Sequence, residues 1–198
     1  MIVKDIRWYQ DESGTRFGKA NADLDLAVDM LLQSQNLDRL LLASGDGDFV
    51  QVIKALQNRG CRVEVVALDN VSAKLRHEAD YFLSGYLIPD LIPSISPKPD
   101  AAPWGEIGSR VRGWCYWHSD QGYGFMRYIK YIGPGLWVTD TRHPDSPYGT
   151  AFFHDSNLPD FIRPSLFPSR NLIFEFELIK SERGAGVQAI NIELASKF

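Results

Sequence analysis

Between residues 89 and 108 the chain reads PDLIPSISPKPDAAPWGEIG, with five prolines. Each proline fixes φ and removes a backbone donor, so neither a regular helix nor a central strand can run through this stretch. The hydrophobic period differs on its two sides. Before it, apolar residues recur at helical spacing between short apolar runs; after it they alternate with polar ones. A stiffened linker between two differently built domains is the expectation.

Upstream, Leu24, Ala27, Val28, Leu31 and Leu32 mark one stripe of a helix starting near Asn21. RLLLAS reads as a buried strand over 39–43, DFVQVIKALQNRG as a helix closed by Gly60, RVEVVAL as the next strand and NVSAKLRHEAD as a short helix. Alternating strands and helices predict a parallel α/β sheet with right-handed crossovers. Downstream, RVRGWCYWHS, GYGFMRYI, GLWVTD, TAFFHDS, NLIFEFELIKS and GVQAINIEL are six β-like segments separated by turn residues, which predicts a small antiparallel barrel. No internal repeat or low-complexity tract appears.

Charge is unevenly shared. Residues 1–100 hold 11 Lys and Arg against 15 Asp and Glu, while residues 101–198 hold 10 of each. An acidic first half argues against a strong nonspecific nucleic-acid clamp but suits a site where carboxylates hold cations and the cations meet phosphate. The opening MIVKDIRWYQDESG is charged throughout, and no apolar run approaches the roughly 18 residues of a membrane span, so a cytoplasmic chain with no membrane partner is expected. Cys61 and Cys115 lie far apart, outside any CxxC pattern, and read as packing residues. His118 and His143 read as ordinary surface residues. No GxGxxG turn or Walker lysine supports a nucleotide-cofactor enzyme.

In an open parallel sheet, ligands sit beyond the carboxyl ends of the strands, where SGDGDF falls if 39–43 is a strand. Asp46 and Asp48 are then either a metal-binding pair or the polar cap of the next helix. Asp25 and Asp29 share a helix face at i,i+4 and Asp23 lies in the first turn; like charges so placed repel, which a divalent cation would relieve. Arg16 and Lys19 are either phosphate contacts or residues of a solvated loop.

KANADLDLAVDMLL, LLLASGDGDFVQVIKALQNRGCRVEVVAL and SAKLRHEADYFLSGYL closely resemble the NYN domain, a PIN-like nuclease family with LabA-like bacterial members, over roughly residues 15 to 88. The resemblance implies a Mg²⁺ or Mn²⁺ site that cleaves RNA. Carried over by motif, Asp23, Asp29, Asp46 and Asp48 are the catalytic set and Asp23, Asp46 and Asp48 the metal ligands. Ser44 joins Arg16 and Lys19 as a substrate contact, and Asp25, without a counterpart, is solvated. Complete members open on a further strand ending in Asp-x-x-Asn. That motif has no match here, so the resemblance implies a partial α/β domain over residues 1–92 that lacks one carboxylate: either the start is placed too late, a second subunit or separate polypeptide completes the sheet, or the domain has decayed to a binding scaffold.

In the second half, QGYGFM places Tyr123 and Phe125 two apart, and AFFHDS does the same with Phe152 and His154, so each pair projects from one face of a strand. Isolated aromatic pairs are usually core, but two in glycine-flanked strands suit a stacking platform for bases. RGWCYWHSDQGYGFM, FFHDS and IFEFELIKSERGAGVQAINIEL resemble the cold-shock domain, an OB-fold barrel that binds single-stranded nucleic acid. The resemblance implies such a barrel over residues 108–198, after a linker at 93–107, with Tyr123, Phe125, Phe152 and His154 stacking on bases. Either Tyr116 or Trp117 takes the place of the family's tryptophan. Gln121 stands where the family has a basic residue, and Trp137 and Arg142 lie in a long stretch between the motifs.

The expectation is therefore an RNA-associated protein whose barrel captures single-stranded RNA, or DNA, beside a metal-dependent ribonuclease domain. The rival is a noncatalytic RNA-binding protein whose partial domain mediates homodimerisation.

Overall fold

A computed structural model describes residues 7–10, 13–19, 22–133, 136, 138–181 and 186–197, with the side chains of 7–9 and 17–19 left aside. The chain forms two compact units, one of residues 1–66 and 71–82, the other of residues 67–70 and 83–198.

In the first unit, β1 (Arg7–Gln10) and β2 (Arg16–Lys19) pair antiparallel as a separate hairpin. Then come α1 (Asp23–Gln33), β3 (Arg39–Ala43), α2 (Val50–Gln57), β4 (Arg62–Ala67), α3 (Ala73–Glu78) and β5 (Tyr81–Ser84). The three strands β3, β4 and β5 form one sheet in that order, with β3 and β4 parallel from Arg39 opposite Arg62 to Ala43 opposite Val66. Leu42, Val63 and Val65 of the sheet bury against Met30, Ile53, Leu56 and Leu75 of the helices.

Helix α1 departs from the expected stripe. Ala27, Met30 and Leu31 face the core, whereas Leu24, Val28 and Leu32 are 64%, 46% and 63% exposed. The segment is apolar around most of its circumference, and packing against one neighbouring layer covers only one side of it.

In the second unit, β6 (Arg110–Ser119), β7 (Tyr123–Ile129), β8 (Tyr148–His154), β9 (Ser169–Lys180) and β10 (Val187–Lys197) close on themselves. Antiparallel pairing joins β8 to β7, β7 to β6, β6 to β9 and β9 to β10, and a parallel contact of Gln188 with Phe152 closes the ring. Alternation sends Met126, Tyr128, Ala151, Phe153, Phe174, Phe176 and Leu178 inward as the core. Both cysteines are buried free thiols, and burial pushes their pKa values up, that of Cys115 to about 12.

Two expectations fail here. Of GLWVTD, the described residues 136 and 138–140 form no strand; they belong to a loop docked on the barrel by Tyr148 Oη donating to the Leu136 carbonyl (2.6 Å) and Ser146 Oγ donating to that of Val138 (2.7 Å). Trp137 lies outside the described residues. The proline-rich stretch is not a free linker either. Arg112 of β6 donates to the carbonyls of Ile92 (3.1 Å) and Pro93, while Ser94 Oγ and the Ile95 N–H donate to Glu175 of β9 at 2.5 and 3.0 Å. Ser96 Oγ donates to Glu193 (3.0 Å), Lys98 pairs with Glu177 (2.5 Å) and Trp104 Nε1 donates to the Ile129 carbonyl (2.7 Å). Backbone groups without a ladder must find partners when covered, and the charged side chains of the barrel supply them. The proline-rich stretch thus belongs to the same compact unit as the barrel.

No helix among the described residues is long and apolar enough to cross a membrane.

Candidate functional site

Where β3 ends, the chain turns through Ser44 and Gly45 into a short 3₁₀ turn, Gly47–Phe49, which leads into α2. Asp46 caps this turn. Its Oδ1 accepts the Asp48 N–H at 2.9 Å, its own N–H donates to Ser44 Oγ at 3.1 Å, and its carbonyl accepts the Phe49 N–H at 3.3 Å. Gly47 is fixed by space, because a Cβ there would lie 2.8 Å from Ser72 Oγ, just ahead of α3. The Ser72 N–H in turn donates to the Gly45 carbonyl at 2.9 Å. Asp46 and Asp48 are both exposed.

The other acidic residues sit on α1. Asp23 and Asp29 are exposed, and Asp25 is half-buried rather than solvated. At about 100° per residue, Asp23 and Asp29 stand well apart around the helix, and only Asp25 and Asp29 share a face. Among the described residues no group of three or more His, Cys, Asp or Glu side chains could hold a metal ion, so these carboxylates do not by themselves fit the expected Mg²⁺ or Mn²⁺. Ser44 is spent on the loop backbone. Arg16 is exposed on β2, and the Lys19 side chain lies outside the described ones.

The aromatic residues of the barrel do come together. Along β7, Tyr123 and Phe125 face outward while Gly124 and Met126 face inward; along β8, Phe152 and His154 face outward around buried Phe153. The register sets Trp117 opposite Phe125, Phe125 opposite Phe152, and Tyr123 opposite His154. The rings of Trp117 lie 5.6 Å from both Tyr123 and Phe125, and those of Phe152 lie 5.8 and 6.0 Å from the same two. Trp117 is 42% exposed. His154 is held by the turn after β8, its Nδ1 accepting the Ser156 N–H at 3.2 Å.

A bulge sets Tyr116 apart from Trp117. From Cys115 to Trp117 the β6 strand advances two residues while β7 moves one, from Met126 to Phe125. The extra residue is Tyr116, and the bulge brings two consecutive rings to Phe125, Trp117 at 5.6 Å and Tyr116 at 6.4 Å. Their exposures differ in kind. Arg127 Cζ sits 4.0 Å over the Tyr116 ring, covering it, whereas Trp117 is open. Arg127 went unnoticed in the sequence, although its place two residues after Phe125 was the available signal.

His118 proves not to be a surface residue. Its side chain is 9% exposed, its Nε2 lies 2.8 Å from Asp155 Oδ1, and its ring packs near Phe153 and Phe167. Arg142 is exposed and engaged with Asp140, whose carboxyl the guanidinium holds well below the usual range.

Residues 3–91 match the NYN domain. Over 84 residues the chain is 35% identical to the low amplitude and bright protein LabA of Synechococcus elongatus, a region covering 41% of this chain and 45% of that protein. A solved structure, a protein of unknown function from Vibrio parahaemolyticus, is 29% identical over 39% of this chain and 48% of its own, with a TM-score of 0.33. The chain spans under half the length of each of these relatives. The domain match falls on the mixed α/β unit, in which β3 and β4 run parallel.

Proposed function

We propose that this chain binds single-stranded RNA on the outer face of β6, β7 and β8, through a cold-shock-like barrel of the OB type. The observation that carries the reading is the continuous platform of Trp117, Tyr123, Phe125 and Phe152, with partly exposed rings 5.6 to 6.0 Å apart on adjoining strands. Partly exposed aromatic rings on a rigid strand face are what base stacking uses, and each stacked base contributes about 1–3 kcal/mol. The ring order and the parallel closure of β8 on β10 support the OB-type assignment, whose second and third strands form the usual binding face. His154 and Tyr116 flank the platform.

The test is equilibrium titration of a labelled oligouridylate with the full chain, beside its single alanine variants at Trp117, Phe125 and Phe152 and a DNA competitor of equal length. Binding by the native chain that each substitution weakens supports the reading, and native-like binding by all three variants sinks it.

Hydrolysis is the second reading, favoured by the NYN match. It assigns Asp23, Asp29, Asp46 and Asp48 to a Mg²⁺ or Mn²⁺ site, with Ser44, Arg16 and Lys19 near the substrate, and it needs ligands beyond those the described residues bring together. Cleavage of labelled RNA with Mn²⁺, abolished by EDTA and by Asp46→Asn, would establish it; intact RNA in the presence of Mn²⁺ would leave the chain as a binder. Self-association through the exposed Leu24, Val28 and Leu32 side chains accompanies the noncatalytic form, and sedimentation at two concentrations reads it directly.

A further inference from the structure

A strand crossing the aromatic platform needs partners for its phosphates as well as its bases, and the platform holds very few cations. Within residues 114–119, the turn 120–122, β7 and β8 there is one Lys or Arg, Arg127. On the nucleic-acid reading above, we propose that Arg127 takes a backbone phosphate of the strand whose bases stack on Phe125 and Phe152.

Position comes first. Arg127 lies two residues beyond Phe125 on the same face of β7, with Trp114 opposite it on β6 and Thr150 opposite it on β8, so it sits one row beyond the rings. Orientation comes next. The guanidinium carbon lies 4.0 Å over the Tyr116 ring, and Tyr116 is beneath it because of the β6 bulge. This contact restrains the guanidinium before any ligand arrives, which lowers the entropy lost on binding.

Valence supports the same assignment. Among the described residues Arg127 forms no ion pair, and with its Nε buried the terminal nitrogens of the guanidinium are the donors left for a phosphate. The nearby carboxylate Asp140 is committed to Arg142, which meets its two oxygens at 2.9 and 2.8 Å. A guanidinium remains ionised at any relevant pH and matches phosphate oxygens with paired N–H donors. Gln121 puts no charge at the other end of the platform, so Arg127 sets where the backbone is held.

The experiment compares native chain, Arg127→Met and Arg127→Lys binding a labelled oligouridylate across a range of KCl concentrations. The native chain should lose affinity linearly in log–log form. Arg127→Met should show a slope shallower by about 0.7, the share of one single-strand phosphate, whereas Arg127→Lys keeps the native slope. A series of oligouridylates, each with one neutral methylphosphonate linkage, provides a second readout. The native chain should be weakened most at one linkage, and Arg127→Met should be indifferent there. Equal slopes for the native and Met proteins, or uniform sensitivity along the methylphosphonate series, would overturn the assignment; the series on native protein decides even if the Met variant does not fold. Absence of any binding by the native chain would instead sink the RNA-binding function and this inference together.

Discussion

Phe125 touches the rings of Trp117 at 5.6 Å, Phe152 at 6.0 Å and Tyr116 at 6.4 Å, so it is the residue through which the platform holds together. Phe125→Ala is expected to weaken RNA binding by about 1–3 kcal/mol, measured by titration, against little change for a surface control. Asp46 separates two roles that look alike in sequence. Asparagine caps a helix about as well as aspartate does, but it lacks the charge a hard cation needs. Asp46→Asn should therefore melt at the native temperature, and Asp46→Ala should lose about 1 kcal/mol of stability. Loss of activity in the asparagine variant without loss of stability would point to metal, and parallel losses to capping. The motif SGDGDF was visible at once because its residues adjoin. Whether other carboxylates converge on it depends on the rotation of α1, which spacing of Asp23 and Asp29 alone leaves open.

At the scale of elements, legibility tracked periodicity. Tyr123 with Phe125 and Phe152 with His154 could be placed on one face because strands repeat every two residues. The bulge at Tyr116 broke that rule by one residue and so could not be read, although it decides which aromatic is open. Gly124 lets the bulged strand approach, since a Cβ there would lie 2.7 Å from the Trp117 carbonyl oxygen and from the Phe153 ring. Gly124→Ala is expected to cost about 1–3 kcal/mol in thermal unfolding and to weaken RNA binding with it. The stretch at 92–98 was misread for a related reason. It has no period, and its partners Arg112 and Glu175 lie far along the chain. Glu175 is 2% exposed between Arg110 and Arg112. Burial works against its charge, but Ser94, Arg110, the Ile95 N–H and Arg112 together hold its carboxyl below the usual range, and Lys98 does the same for Glu177. A lowered native pKa adds stability that is complete above the ordinary carboxylate range and is lost as the pH falls through the native value. Acid unfolding should therefore be steeper in the native chain than in Glu175→Gln, which should already be destabilised at neutral pH by about 3–5 kcal/mol because it leaves two arginines under-compensated. Equal stability of the two proteins at neutral pH would contradict the role given to this carboxylate.

For the whole molecule, the division into an α/β part and a β part was legible from the change of period, and the docking of the proline-rich stretch on the barrel was not, because its partners lie far along the chain. With a formal net charge of −4, the chain has no general attraction for a polyanion. On the proposed reading, affinity for RNA comes mainly from stacking, so the salt dependence of binding should be shallow, corresponding to about one or two phosphates rather than the many of a basic clamp. A steep slope would mean that cations elsewhere dominate. Ultraviolet crosslinking of a uridine-rich single strand to the full chain, with peptide mapping of the products, tests most directly where the strand lies. Crosslinks at Trp117, Tyr123, Phe125 or Phe152 are the predicted result; crosslinks confined to residues outside β6, β7 and β8 would contradict it.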